Sequence, residues 1–138
     1  VMDTVHPARA AGLASQAAVR AKNKQQWLAL FAPEACVEDP VGPSGFDPEG
    51  KGHHGAEGIS AFWDMAIAKA DSIEFHFHDS VACGNEACFL GFIRTLIGGM
   101  QIDAEGAFTY RVNDDGKIVA LRAFWEVERA MSTAKPVA

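Results

Sequence analysis

The chain has 138 residues, 49% hydrophobic and 22% charged, the length and composition of one ordinary soluble domain able to bury a core. Its formal charge of -6 excludes the basic face that nucleic acid or an anionic membrane demands, and no apolar run approaches the ~20 residues of a membrane span. No signal peptide opens the chain, and Met2 reads as the native start behind one extra residue. Cys36, Cys83 and Cys88 form no regular framework, which reads as reduced thiols in a cytoplasmic protein; Cys83 and Cys88 flank a turn and read as small buried hydrophobes.

The Ala-rich stretch "HPARAAGLASQAAVRAKN" predicts a helix from about Pro7 to Lys22, with Pro7 suited to the first helical position. A shorter helix over about Lys24 to Phe31 carries Trp27, Leu28, Leu30 and Phe31. "CVED" reads as a short strand halted by Pro40, and the text from Val41 to His54 is loop chemistry throughout. Ile59, Phe62, Trp63, Ala66 and Ile67 follow at helical spacing, one face of an amphipathic helix.

After Asp71 the period becomes two. Ile73, Phe75 and Phe77 alternate with Glu74, His76 and His78; Phe89, Gly91, Ile93 and Thr95 alternate with Cys88, Leu90, Phe92 and Arg94. Gly98-Gly99 suits a two-residue hairpin turn. The third strand sets Ile102, Ala104, Gly106, Phe108, Tyr110 and Val112 inward, with Asp103, Glu105 and Arg111 outward. After the "NDDG" turn, Val119, Leu121, Ala123, Trp125 and Val127 face inward, opposed to Ile118, Ala120, Arg122, Phe124 and Glu126.

Helices first and hairpin-linked strands after them give an α+β fold, with helices packed on one face of a mostly antiparallel sheet. Gly91, Ala104, Gly106 and Ala123 among large aromatics leave room for a hollow, with the helix of Phe62 and Trp63 as its lid. The outer face mixes Leu90, Phe92, Ile118 and Phe124 with charges, the pattern of a two-fold contact in a homodimer.

Three stretches, "WLALFAPEACVEDPVG", "GAEGISAFW" and "GAFTYRVNDDGKIVALRAFWEVE", resemble the ketosteroid isomerase branch of the nuclear-transport-factor-2-like (SnoaL-like) superfamily in order and spacing. The resemblance runs from about Ala11 to Glu128, and the loop "GFDPEGKGHHG" resembles that of an actinobacterial subgroup. It implies a cone-shaped fold, with helices closing a curved sheet over a deep apolar cavity, and dimers. It also implies a small apolar ligand; Gly50, Gly52 and Gly55 are too scattered for a phosphate loop, so no nucleotide is implied and no cofactor is expected. In those isomerases one aspartate carries a proton between two carbons while a tyrosine and a protonated aspartate hold the enolate oxygen, a mechanism that is itself a standard example of carboxyl pKa tuning.

The base of the family maps onto Asp39, which Pro40 biases toward extended backbone. Glu38, one residue earlier, is expected to point the other way. The tyrosine maps near Ser15 and the proton-donating aspartate onto Phe108, so the usual oxyanion acids are missing. Inward polar substitutes are Ser15, Thr95, Tyr110 and the indole N–H of Trp125, which stands where the family has a pocket tryptophan. The implied ligand wall comprises Trp27, Phe62, Trp63, Phe75, Phe89, Ile93, Thr95, Gly106, Phe108 and Leu121.

The histidines form no set at zinc-like spacing: His53-His54 read as a loop pair, His76 and His78 as outer-face residues, and His6 as the start of the first helix. Two classes of function remain. One is an isomerase-like enzyme in which Asp39 transfers a proton on a polycyclic or terpenoid-like ketone. The other is a binder of a similar ligand that catalyses nothing. An epoxide hydrolase needs an inward aspartate–arginine–aspartate group, and Arg94 and Arg111 are assigned outward, so that reading and a cyclase rank lower.

Overall fold

In a computed structural model, which describes residues 6–137, the chain opens with helix α1 (Pro7–Arg20). The reading of Met2 as the native start lies outside the described residues. The His6 ring accepts from Ala8 N at 3.2 Å and so caps the helix, while Pro7 takes the first turn, where its missing N–H costs nothing. Helix α2 (Lys24–Leu28) follows and buries Trp27. It is shorter than its apolar pattern predicts. Phe31 already belongs to strand β1 (Phe31–Glu38), which runs parallel to the later strand β6 (Ile118–Trp125) and pairs Phe31 with Ile118.

After the loop come β2 (His53–His54), α3 (Gly55–Phe62) and one π-helical turn over Trp63–Ile67. The sequence reads this region as a single α-helix. The widened turn, closed by Ala68 N to Trp63 O at 2.8 Å, departs from that reading. Trp63 is buried against Trp27, with ring centroids 5.3 Å apart.

Strands β3 (Ser72–Cys83), β4 (Glu86–Ile97), β5 (Met100–Val112) and β6 (Ile118–Trp125) pair antiparallel, giving the sheet order β2-β1-β6-β5-β4-β3. Helix α4 (Val127–Met131) and the short β7 (Lys135–Pro136), paired with the start of β5, complete the described chain. Val127 therefore starts a helix and does not extend the last strand. Gly98 and Gly99, both at positive φ, make the two-residue turn between β4 and β5.

The sheet is curved and does not close into a barrel. Its bend follows one row of paired residues, Phe77, Gly91, Gly106 and Trp125. A Cβ on Gly106 would lie 1.9 Å from the Phe124 carbonyl oxygen, and one on Gly91 2.2 Å from that of His76. No side chain fits where the strands fold over one another. A bulge after Phe77 and a register shift between Arg111 and Val112 sharpen the curve. The second irregularity overturns the outward assignment of Ile118: it pairs with Val112 and is fully buried in the core. Cys36, Cys83 and Cys88 are free thiols; Cys83 is exposed and Cys88 part-buried, so neither is the fully buried hydrophobe its sequence setting suggests.

Candidate functional site

The concave face of the sheet and the helices across it enclose a cavity of about 570 Å³, within the usual range of small-molecule sites. Asp39 lies at its wall, just beyond the end of β1, and the Asp39–Pro40 peptide is cis. Here β1 runs beside β6, pairing Glu38 with Arg122. Val41 N then donates to Ala123 O at 2.9 Å, which holds the chain against β6 on both sides of Asp39.

The indole N–H of Trp125 donates to Asp39 Oδ1 at 2.6 Å. Asp39 Oδ2 accepts no hydrogen bond among the described residues, and the residues that line the cavity with Asp39 are mostly apolar. Asp39 keeps some accessible surface because it lines the cavity, yet its setting is that of a buried group. Burial pushes the carboxyl above its ordinary value by disfavouring the charged form, and the Trp125 hydrogen bond pulls it partly back. Glu38 has the opposite fate, ion-paired at 2.9 Å with Arg122 on the outer side.

A second polar group lies on the α1 side. Trp27 Nε1 donates to Ser15 Oγ at 3.0 Å. An indole N–H can only donate, so Ser15 must accept there and has its own proton to give. The Ser15 and Gln16 side chains lie against the hydroxyl of Tyr110, whose pKa is pushed up to about 12 by burial, with the Asp39 charge adding to the rise. Tyr110 is therefore a neutral donor at any physiological pH. The Gln16 amide nitrogen is buried and completes no hydrogen bond of proper geometry among the described residues.

Of the residues singled out in the sequence, the cavity brings together Ser15, Trp27, Asp39, Phe62, Phe75, Ile93, Thr95, Phe108, Tyr110, Leu121 and Trp125. Trp63, Phe89 and Gly106 stand outside its lining. Trp63 is buried against Trp27 in the core. Phe89 packs beneath α1, edge-on to Tyr110, and Gly106 sits at the bend of the sheet. Phe108 is 2% exposed and packs on Phe77 at 5.3 Å, so no donor exists at that position.

Sequence reasoning missed two walls. The loop after Asp39 contributes Phe46, set edge-on to Phe62 at 6.2 Å. Its shape depends on Asp47, whose carboxylate accepts from Gly52 N at 2.6 Å and Lys51 N at 3.2 Å. Helix α4 contributes Val127, Ala130 and Met131, whose helical spacing is visible in the sequence. Among the described residues no cluster of metal-ligating side chains occurs. No described helix is long and apolar enough to cross a membrane.

The SnoaL-like domain family matches residues 14–121. The structure of RV0760c from Mycobacterium tuberculosis superposes with a TM-score of 0.84 at 32% identity, covering 89% of this chain and 93% of that one. The same protein in complex with estradiol-17beta-hemisuccinate matches with a TM-score of 0.82 at 31% identity, covering 89% and 96% of the two chains. A Δ5-3-ketosteroid isomerase from Mycobacterium sp. matches with a TM-score of 0.84 at 29% identity, covering 96% and 99%. An LEH-like epoxide hydrolase of M. tuberculosis, at 17% identity, a TM-score of 0.75 and coverage of 93% and 88%, shares the fold alone. No curated protein matches the chain.

Proposed function

This chain belongs to the SnoaL-like domain family, and on that premise we propose that it binds an apolar polycyclic or terpenoid-like ketone and shifts its double bond, with Asp39 as the proton carrier. The observation that carries this reading is the Asp39 carboxylate held by Trp125 in an apolar cavity, with Oδ2 unpartnered among the described residues. Such a carboxylate is costly to keep unless it does chemistry.

Asp39 Oδ2 takes a proton from the carbon between the carbonyl and the double bond. The C–H electron pair moves into the π system and charge collects on the ketone oxygen. The same carboxylic acid then returns the proton to the far alkene carbon, the double bond moves into conjugation, and Asp39 is regenerated. Tyr110, kept neutral and backed by Ser15, is the hydrogen-bond donor for the enolate oxygen. Trp125 is committed to Asp39, and Phe108 offers nothing.

The bound steroid of the M. tuberculosis relative supports an apolar ligand of this size, and the mycobacterial isomerase supports the reaction. Epoxide hydrolysis gains no support. Arg94 is paired with Asp103 at 2.9 Å on the outer face, and among the described residues the cavity lining holds one carboxylate and no arginine. The proposal extends to a homodimer through the outer sheet face, where Phe92 and Phe124 sit among charged residues, and to a reducing, cytoplasmic setting, which the three free thiols support.

The test is isomerisation of a 3-keto-Δ5 steroid, followed by the absorbance of the conjugated product, beside direct binding of the same steroid. Asp39→Asn is expected to lower turnover by about 10²–10⁴-fold, the usual contribution of a positioned base, while binding persists. Equal turnover in both proteins removes Asp39 from the role. Binding without turnover in either leaves a non-catalytic carrier, the reading that the missing donor at Phe108 favours.

A further inference from the structure

The mouth of the cavity is built differently from its interior. Of the eight large hydrophobic side chains exposed among the described residues, five (Phe46, Met65, Ile97, Val127 and Met131) line this one cavity. They form an apolar rim that extends the binding surface outward. Among them stands Lys69, the only cation in the lining described. Lys69 is exposed and carries no ion pair or hydrogen bond among the described residues.

Other charges near this turn are committed. Lys22 Nζ donates to the carbonyls of Ile67 at 3.0 Å and Ala68 at 3.4 Å, and to that of Ala70, bracketing Lys69 with a second positive charge. Asp64 is paired with Lys24 at 3.0 Å, and Asp71 accepts from Gly98 N at 3.1 Å. Nor is Lys69 the counter-ion of Asp39, whose carboxyl responds only to burial and to Trp125. The cavity thus has an acid within and, at its lip, an uncommitted cation that does not act on it.

We infer that the ligand carries an anionic group, a carboxylate or its equivalent, at the end remote from its ketone, and that Lys69 receives it where it leaves the rim. The inference rests on the apolar-ketone reading above and narrows its substrate class. A lysine suits the position because its stem lies along apolar surface while its head stays in water. It also solves a problem set by composition. A protein of net charge -6 repels an anionic ligand at long range, so a local cation is needed to admit one.

The experiment uses two probes, a 3-keto steroid bearing a side-chain carboxylate and its uncharged methyl ester, titrated calorimetrically into wild type, Lys69→Met and Lys69→Glu. Wild type is expected to prefer the carboxylate by about fivefold, the upper range for an exposed ion pair, with the preference shrinking as salt rises. In Lys69→Met the ratio of the two affinities falls to near one, and in Lys69→Glu it inverts. Equal binding of both probes by wild type, or a preference that survives in Lys69→Met, overturns the inference and leaves the ketone reading standing. Binding of neither probe overturns the ketone reading as well.

Discussion

Glu38 and Asp39 are neighbours in the chain, yet they live on opposite sides of the sheet. Glu38 meets Arg122 at 2.9 Å on the outer face, where water screens both. Asp39 turns into the cavity and meets only an indole N–H. An aspartate of the outer face, Asp103, completes the contrast. The Arg94 guanidinium hydrogen-bonded to it holds its carboxyl below the usual range, whereas burial raises Asp39. A carboxylate on the outer face is stabilised as an ion and inert. On the inner face it is destabilised as an ion, which makes it a stronger base.

The sharpest way to test the inner face is to restore what it lacks. Phe108→Asp places a carboxyl where the family has its neutral acid. It is expected to raise steroid isomerisation by about 10²–10³-fold, the value of one oxyanion donor. It also removes a buried ring and should cost about 3–5 kcal/mol of stability, so turnover must be compared on protein shown to be folded. Wild type working at the full efficiency of the steroid isomerases would show that Tyr110 already suffices.

The outer face is broken at Phe124, which is 42% exposed and lies 5.1 Å beneath the Arg122 guanidinium. If this face joins two copies, Phe124→Glu should weaken the dimer by at least about 2 kcal/mol, as loss of a central aromatic does. Light scattering over a concentration series reads this directly. A wild-type protein monomeric at high concentration ends the dimer proposal.

The subtlest contrast is in stability against pH. Asp39 has a native pKa above its ordinary 3.8, so the native state holds that proton more tightly than the unfolded chain. Its contribution is fully present below the unfolded value and is lost as pH rises through the native one. Asp103 has the reverse sign: its contribution is present above 3.8 and lost as pH falls through the native value. Urea denaturation should therefore find Asp39→Asn more stable than wild type at pH 7 and Asp103→Asn less stable. The Asp39 difference should shrink as the pH falls through its native value to 3.8, and the Asp103 difference only as the pH falls below 3.8. Like signs for the two would dissolve the distinction between the faces.

What the sequence determined by itself was local and periodic. Period-two alternation assigned Phe75, Ile93, Phe108, Tyr110 and Trp125 to one face because a strand turns its side chains over at every residue. The proline after Asp39 marked the end of β1 for an equally local reason. Tertiary structure decided the departures: the bulge that buries Ile118, the π-helical turn that follows α3, and the early start of β1 at Phe31. Each inserts or removes a residue from a period, and only pairing with a distant strand or helix repays that irregularity. The Asp39–Trp125 hydrogen bond joins residues 86 apart in the chain, and the rim around Lys69 gathers four separate segments. Periodicity reports which way a side chain faces; what it meets there depends on how the sheet bends.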